Sequence, residues 1–260
     1  MKFKDHISSK RTKLLLVGDP GAGKTSVLAT LPNAGYNLRI IDFDAGLDVL
    51  SDYLTEEGAE RTSYVTLTDD VVKDKLKSSA FNAAKEIIYG GWVGKRCGED
   101  LGMIEDWGEE DILVLDGGTF MAEAAKRSVL SLKNRDVTDQ LEPRDWYTAQ
   151  RRVANLIARI MSQQIKCNVI LTTHKVIMED DAGVEKFYPN MCGRGLSTTI
   201  GGYFNNIFQI KPKRKGADIF RVIRTTSDSR IDLKSTRPKR LDAEMEPDLA
   251  KIFAILQGKD

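Results

Sequence analysis

Gly18-Asp19-Pro20-Gly21-Ala22-Gly23-Lys24-Thr25 is the stretch whose residue types and spacing state a chemistry most directly. It fits the pattern GxxxxGK[ST], with Gly18, Gly23, Lys24 and Thr25 at the fixed positions. Glycines let a backbone curl so that successive N–H groups converge on one anion. A lysine here reaches the β- and γ-phosphates of a nucleoside triphosphate, and the hydroxyl after it is a ligand for Mg2+. Residues Gly18, Asp19, Pro20, Gly21, Ala22, Gly23, Lys24, Thr25 and Ser26 are therefore expected to hold ATP. A helix starting near Lys24 is expected to add the positive end of its dipole.

Transfer of a phosphoryl group to water also needs a carboxylate on the metal side and a group that orients the water. Asp116 closes the apolar run Ile112-Leu113-Val114-Leu115. At the carboxyl end of a buried strand it can hold a water on Mg2+, so Thr25 and Asp116 form the expected metal pair. The same place also suits a turn or helix-capping aspartate. Asp42 and Asp44 stand two apart and share a face while strand geometry lasts. Asp44, past the strand tip, can face the γ-phosphate or cap a helix over residues 46–54. His174 follows Val169-Ile170-Leu171-Thr172-Thr173, where a polar side chain can meet the γ-phosphate or serve a purely structural end. Lys24, Asp44, Asp116 and His174 make up the expected catalytic set.

Periodicity supplies the elements that must carry these residues. Residues 13–17, 38–43, 111–116 and 168–173 are short apolar runs of the buried-strand type. Residues 25–31, 46–54, 71–88, 119–132 and 145–164 have helical character, the last with Val153, Leu156, Ile157, Ile160 and Met161 on one stripe and Asp145 as its cap. Residues 89–110, rich in glycine and charge around Trp92 and Trp107, read as an irregular insertion. Residues 175–199 are polar, broken by three glycines, and read as a long functional loop. Residues 204–211 and 219–225 alternate as a hairpin, and 249–256 close the chain as a helix. The expected class is α/β, with a mainly parallel central sheet flanked by helices and a C-terminal antiparallel hairpin. One domain is expected over residues 1–260, with its core at about 12–256.

Composition narrows the function classes. With 41% hydrophobic and 30% charged residues the chain is globular, and no apolar run of membrane-spanning length is present. The first 13 residues are charged and carry no apolar stretch of the secretory kind. Cys97, Cys167 and Cys192 are widely spaced without a CxxC pair, which speaks against structural zinc and fits a reducing, cytoplasmic location. A net charge of +1 excludes a strongly basic surface overall, so any nucleic-acid contact must come from local patches.

In order, the phosphate loop, the strand-end acid, the Ile112–Asp116 run and the polar strand end resemble RecA-type recombinases. Asp44 matches the place of the catalytic glutamate of that family, one methylene shorter, and His174 the place of its switch glutamine. Asp48 matches a position near the adenine. More closely, the sequence resembles phage-encoded RecA-like ATPases, a group that includes single-strand annealing proteins. The shared features are GDPGAGKT, ILVLD, Arg144-Asp145-Trp146, Thr173-His174, Gly193-Arg194-Gly195-Leu196 and a basic segment near Lys234. The resemblance implies a RecA-like P-loop fold, ATP and Mg2+ as cofactors, and hydrolysis coupled to single-stranded DNA. It further implies a role in recombination, annealing or replication in the host cytoplasm, and self-association into a ring or filament with ATP between subunits. Lys234, Arg237, Lys239 and Arg240 lie where such proteins place a cation on a neighbour's γ-phosphate, with Lys234 and Arg237 both open for that role. Residues 175–199 match a DNA-binding loop and offer Lys186, Phe187, Tyr188 and Arg194 to phosphates and bases. Glu179, Asp180, Asp181 and Glu185 oppose this, and Lys211, Lys213, Arg214 and Lys215 form a second basic cluster or a solubilising turn. Two other readings stand beside this one: a nucleotide or small-molecule kinase with residues 92–107 as a lid, and an ATP-bound scaffold in which the short Asp44 hydrolyses nothing.

Overall fold

A computed structural model describes residues 11–72, 75–180, 182–216 and 218–259. The charged N-terminal segment, up to residue 10, and Asp181 lie outside the described residues. The strands, in chain order, are β1 (Lys13–Val17), β2 (Asn37–Asp42), β3 (Thr62–Thr66), β4 (Asp70–Val72), β5 (Lys75–Lys77), β6 (Asp111–Asp116), β7 (Asn168–Thr173), β8 (Lys175–Glu179), β9 (Glu185–Pro189), β10 (Asn206–Lys215), β11 (Asp218–Arg224) and β12 (Glu244–Met245). The helices are α1 (Thr30–Asn33), α2 (Glu56–Glu60), α3 (Ala80–Gly90), α4 (Gly94–Cys97), α5 (Gly118–Leu132), α6 (Pro143–Ile160), α7 (Gly193–Thr199) and α8 (Leu249–Gln257).

The large sheet runs β12-β11-β10-β1-β7-β6-β2-β3, parallel from β10 to β3 and antiparallel across β10, β11 and β12. This is the expected mainly parallel sheet flanked by helices, with a C-terminal antiparallel hairpin. Its central strands are apolar on both faces because helices cover both. Leu15 and Val17 pack with α3, α5 and α6, while Leu14 and Leu16 face Leu28, Leu31 and the α8 residues Ile252 and Phe253. Val17 pairs with Thr173, and Asp42 with Asp116, so the strand ends that carry the chemistry line up along one edge. β7 lies between β1 and β6 and therefore delivers His174 between the phosphate loop and Asp116. No helix among the described residues is long and apolar enough to cross a membrane.

Several elements differ from their sequence reading. The segment after the phosphate loop is a 3-10 turn over Ser26–Ala29 followed by the four-residue α1. Pro32 sits inside α1 and has no N–H to give, which stops a long helix and the full dipole expected at Lys24. The expected helix over 71–88 begins only at α3, because the Asp69 carboxylate accepts from the Ser79 and Ala80 N–H groups (2.9 and 3.0 Å) and fixes the helix start there. Ahead of it β4 pairs with β5. The segment 46–54 is a 3-10 turn over Leu47–Asp52. Residues 175–199 are an antiparallel hairpin, β8 with β9, followed by α7. Helix α6 is capped by Glu142, with Pro143 at its first position; Asp145 is the N3 partner in a reciprocal capping box. Buried Asp145 also accepts from Lys133 and from Arg135 (2.8 Å), which hold its carboxyl below the usual range.

Past the end of α3, the glycine-rich segment 89–110 has only short elements, α4 and a 3-10 turn over Ile104–Asp106, and its apolar side chains pack into the core. Trp92, Ile104 and Trp107 are buried with Phe81 and Ile88 of α3. The Trp92 and Gly102 backbones pair, and the Trp107 indole N–H donates to the Leu101 carbonyl at 2.9 Å. The two indoles stand 6.1 Å apart, centroid to centroid.

Candidate active site

The loop after β1 is built as the sequence requires. The Gly18 N–H donates to the Thr173 carbonyl at 3.1 Å and the Ala22 N–H to the Asp19 carbonyl at 3.1 Å. Gly23 has a φ of +96°, in the left-handed region where a side chain is strained. Lys24 is buried, and its ammonium donates to the Gly18 and Asp19 carbonyls at 3.1 and 3.0 Å, so it spans the hollow of its own loop. Burial lowers its pKa, while the charges of Asp116, Asp44 and Asp19 oppose that shift. Ser26 donates back to the Gly23 carbonyl at 3.2 Å. Asp19 and Pro20 are exposed at the loop tip.

Asp116 is brought to the loop by β6. Thr25 donates to one of its carboxylate oxygens at 2.8 Å, and Thr172 of β7 donates to the other. Thr172 in turn accepts the Gly117 N–H at 2.9 Å, so the carboxylate is held from three elements. Its pKa is raised, first by burial and then by the Asp44 charge, against the lowering bonds from Thr172 and Thr25 and the Lys24 charge. Oxygen atoms of Asp42, Asp44 and Asp116 all lie within 4.8 Å of one another. With the Thr25 hydroxyl this is an all-oxygen donor set, the kind that suits Mg2+ and not zinc.

The tip of β2 positions Asp44. The Asp42 carboxylate accepts from the Asp44 and Ala45 N–H groups, both at 3.1 Å, and from the Thr66 hydroxyl at 3.1 Å. Ala45 is thereby held at a φ of +56°, uncommon for a residue with a side chain and characteristic of sites where local strain fixes a neighbour. Asp44 packs beside Gly117 and also accepts the Gly46 N–H at 3.2 Å, so it closes its own turn while facing the site. Burial, together with Asp44 nearby, pushes the Asp42 carboxyl up to about 6. The folded protein therefore binds this proton more tightly than the unfolded chain, and the contribution of this carboxyl to stability is lost as pH rises from about 4 to about 6. Asp42→Asn, which can keep all three hydrogen bonds, is expected to flatten that decline and raise stability at pH 7 by on the order of 2 kcal/mol. Denaturant melts of both proteins between pH 4 and pH 7 would show it, and parallel pH curves would refute it.

His174 donates its backbone N–H to the Thr119 hydroxyl at 3.1 Å, and its ring stands edge-on to Phe120 at 5.7 Å. Burial first, then the Lys24 charge, lower its pKa against the opposing Asp44 and Asp19 charges. The imidazole is thus neutral at pH 7 and within electrostatic reach of the loop lysine and the β2 acid. Lys24, Thr25, Asp44, Asp116 and His174 all converge here.

The sequence reading overlooked Lys175. Its ammonium pairs with Asp19 at 2.9 Å and lies over the Phe187 ring at 4.2 Å. The one available signal was its position, directly behind a strand end that already carried His174.

Of the remaining expected residues, Asp48, Tyr188 and Lys234 flank the site: Asp42 and Ala45 line the cavity that holds Asp48, and Val17 lines the one that holds Tyr188 and Lys234. Asp48 is exposed in the 3-10 turn and lines a cavity of about 790 Å³ with Leu47, Leu50 and Tyr64, to which no residue of the phosphate loop contributes. Lys186 is paired with Asp180 at 3.4 Å and Asp232 at 3.8 Å. Tyr188 is half-buried and shares a cavity of about 260 Å³ with Lys234. Arg194 is exposed on α7. The Arg237 guanidinium lies against Gly258 at the end of α8, whose Gln257 donates to Asn168 (3.2 Å) at the start of β7. That is the sheet edge opposite Asp116.

The sequence matches the model of the AAA domain family over residues 10–237. No curated protein matches it. Among solved structures, the chain is similar to the flagellar accessory protein FlaH from Methanocaldococcus jannaschii, at 10% identity over 90% of this chain and 83% of that one, with a TM-score of 0.44. A KaiC-like protein from Pyrococcus horikoshii is similar at 13% identity over 86% of this chain and 82% of that one, with a TM-score of 0.42. The type III secretion ATPase EscN from enteropathogenic E. coli is similar at 14% identity over 76% of this chain but only 42% of EscN, with a TM-score of 0.46. The family match spans most of the sequence and contains the whole phosphate loop, Asp116 and His174: the chain belongs to the AAA domain family.

Proposed function

We propose that the protein is a Mg2+-dependent, RecA-like ATPase whose turnover is coupled to single-stranded DNA. The observation that carries the ATPase reading is the Thr25–Asp116 hydrogen bond, set beside a buried Lys24 that spans the phosphate loop. Thr25 and Asp116 would hold Mg2+, which when bound neutralises phosphate charge. Lys24 turns from its loop carbonyls to the β- and γ-phosphates. Asp44 orients the attacking water, and neutral His174 offers a hydrogen bond on the γ-phosphate side. The kinase reading loses support, because the segment that would serve as its lid is packed into the core around Trp92.

The DNA partner, a role in phage recombination or annealing, and assembly into a ring or filament rest on the resemblance to phage-encoded RecA-like ATPases. In that reading Lys186, Tyr188 and Arg194 form the DNA-facing part. Lys234 is the better trans cation, since the Arg237 guanidinium lies beside Gly258 at the end of α8. The test is ATP hydrolysis by wild type and Lys24→Ala, each with and without single-stranded DNA at low salt. We expect wild-type turnover that rises with DNA, and a loss of about 10²-fold or more in the variant. Turnover indifferent to DNA would remove the DNA arm, and ATP binding without turnover would favour the scaffold.

A further inference from the structure

β10 is longer than its parallel partner. Its register with β1 ends at Gln209 opposite Val17, while its pairing with β11 continues to Lys215 opposite Asp218. The outer part of the β10–β11 hairpin therefore overshoots the sheet edge from which the phosphate loop springs. It stands close: a Cβ placed on Gly18 would meet the Ile210 carbonyl oxygen at 2.8 Å. Two residues further out Arg221 pairs with Pro212, and its side chain runs onto the loop itself. Its Cδ and Nε lie 2.6 and 2.7 Å from where a Cβ on Gly23 would stand. Gly23 is thus needed twice, for its left-handed φ and for the arginine laid against it.

The hairpin's other cations are engaged differently. Lys211 and Lys213 are held by Glu244, and Arg224 by Asp228. Among the described residues no carboxylate forms an ion pair with Arg221, which is exposed. A guanidinium resting on a loop of convergent N–H groups has like-signed surroundings, and an anion in the hollow would bind both. The side of approach tells which part of that anion it meets. The Gly23 position that Arg221 crowds also faces the Ser26 hydroxyl at 3.2 Å. Thr25 donates to Asp116 instead, and the Lys24 ammonium lies over the Gly18 and Asp19 carbonyls.

From this geometry we infer that Arg221 is a nucleotide-binding residue, supplied by the same chain, that clamps the inner phosphates common to ADP and ATP on the flank opposite the reacting phosphate. It rests on the reading of the loop as an ATP site and adds to it a hairpin wall and a cation. Guanidinium suits the role because its planar fork donates to two phosphate oxygens at once, which an ammonium cannot match.

The experiment is equilibrium binding of ADP and of ATPγS, with Mg2+, to the full chain as wild type, Arg221→Gln and Arg221→Lys, together with steady-state hydrolysis. Arg221→Gln is expected to weaken both nucleotides by a similar factor of about tenfold. KM for ATP should rise in step, and Arg221→Lys should recover part of the loss. The nucleotide-free melting temperature should stay near that of wild type because the side chain is exposed. Wild-type affinity in Arg221→Gln overturns the inference, as does a loss confined to the triphosphate or a fall in kcat at unchanged KM. Failure of the wild type to bind either nucleotide overturns the ATPase reading and this one with it, an outcome distinct from a binding wild type with an unaffected variant.

Discussion

An Asp116→Asn protein is expected to lose Mg2+-dependent ATP turnover by about 10²-fold or more, and yet to melt at a higher temperature than wild type when nucleotide-free at neutral pH. Both effects come from one feature, a carboxylate held in a buried place for the sake of charge. In the nucleotide-free protein its two oxygens are met by the Thr25 and Thr172 hydroxyls, and burial raises its pKa above the ordinary aspartate value. A raised folded-state pKa means the folded protein holds the proton longer than the unfolded chain, so this group's contribution to stability is lost as pH rises. Asparagine keeps the size and can satisfy both threonines, and it carries no charge to desolvate. It also offers no anionic ligand on the metal side, which is where turnover fails. Steady-state phosphate release and thermal melts on the same preparations decide the matter. An active Asp116→Asn would remove the residue from the catalytic set, and an inactive but destabilised one would show that its charge supports the fold.

The second large effect lies far from the phosphates. Trp92→Ala should cost about 3–5 kcal/mol and lower the melting temperature by roughly 10 °C. Trp92 is fully buried among α3, Ile104 and Trp107, so truncation leaves a cavity that its surroundings cannot close. Its indole N–H meets no acceptor among the described residues. Trp92→Phe, which gives up that N–H and keeps an aromatic ring, should therefore cost only about 1 kcal/mol. A surface lid would behave otherwise, with both variants within about 0.5 kcal/mol of wild type. Denaturant unfolding of the pair separates the two pictures.

Much of the fold was legible because its signals are local. β1, β6 and β7 each carry an apolar run closed by a glycine or a polar residue, and the edges of those runs set Gly18, Asp116 and His174 without reference to anything distant. Pro32 was likewise visible in the sequence and is the reason α1 is short. The remainder depends on partners remote in sequence. Trp92, Ile104 and Trp107 are diluted by glycine and charge, and only their common face toward α3 makes them core. The β8–β9 hairpin hides its alternation behind acidic residues and the Gly183 turn. Lys175 and Arg221 gain their meaning from strand order and register, which place them beside Asp19 and Gly23, and no spacing within the chain announces either contact. Asp44 was placed correctly at the strand tip, but the left-handed Ala45 that turns the chain there carries none of the usual glycine or asparagine signal.

Lys175 has a mechanical consequence. It is the first residue of β8, and it joins the root of the β8–β9 hairpin to Asp19 in the phosphate loop through an ion pair, with Phe187 of β9 beneath the same ammonium. The hairpin is thereby moored to the nucleotide site at its pivot. A macromolecule that gripped the hairpin and favoured one setting of that mooring would change the affinity for nucleotide. By thermodynamic reciprocity the nucleotide would change the grip by the same factor, whichever of the two arrived first.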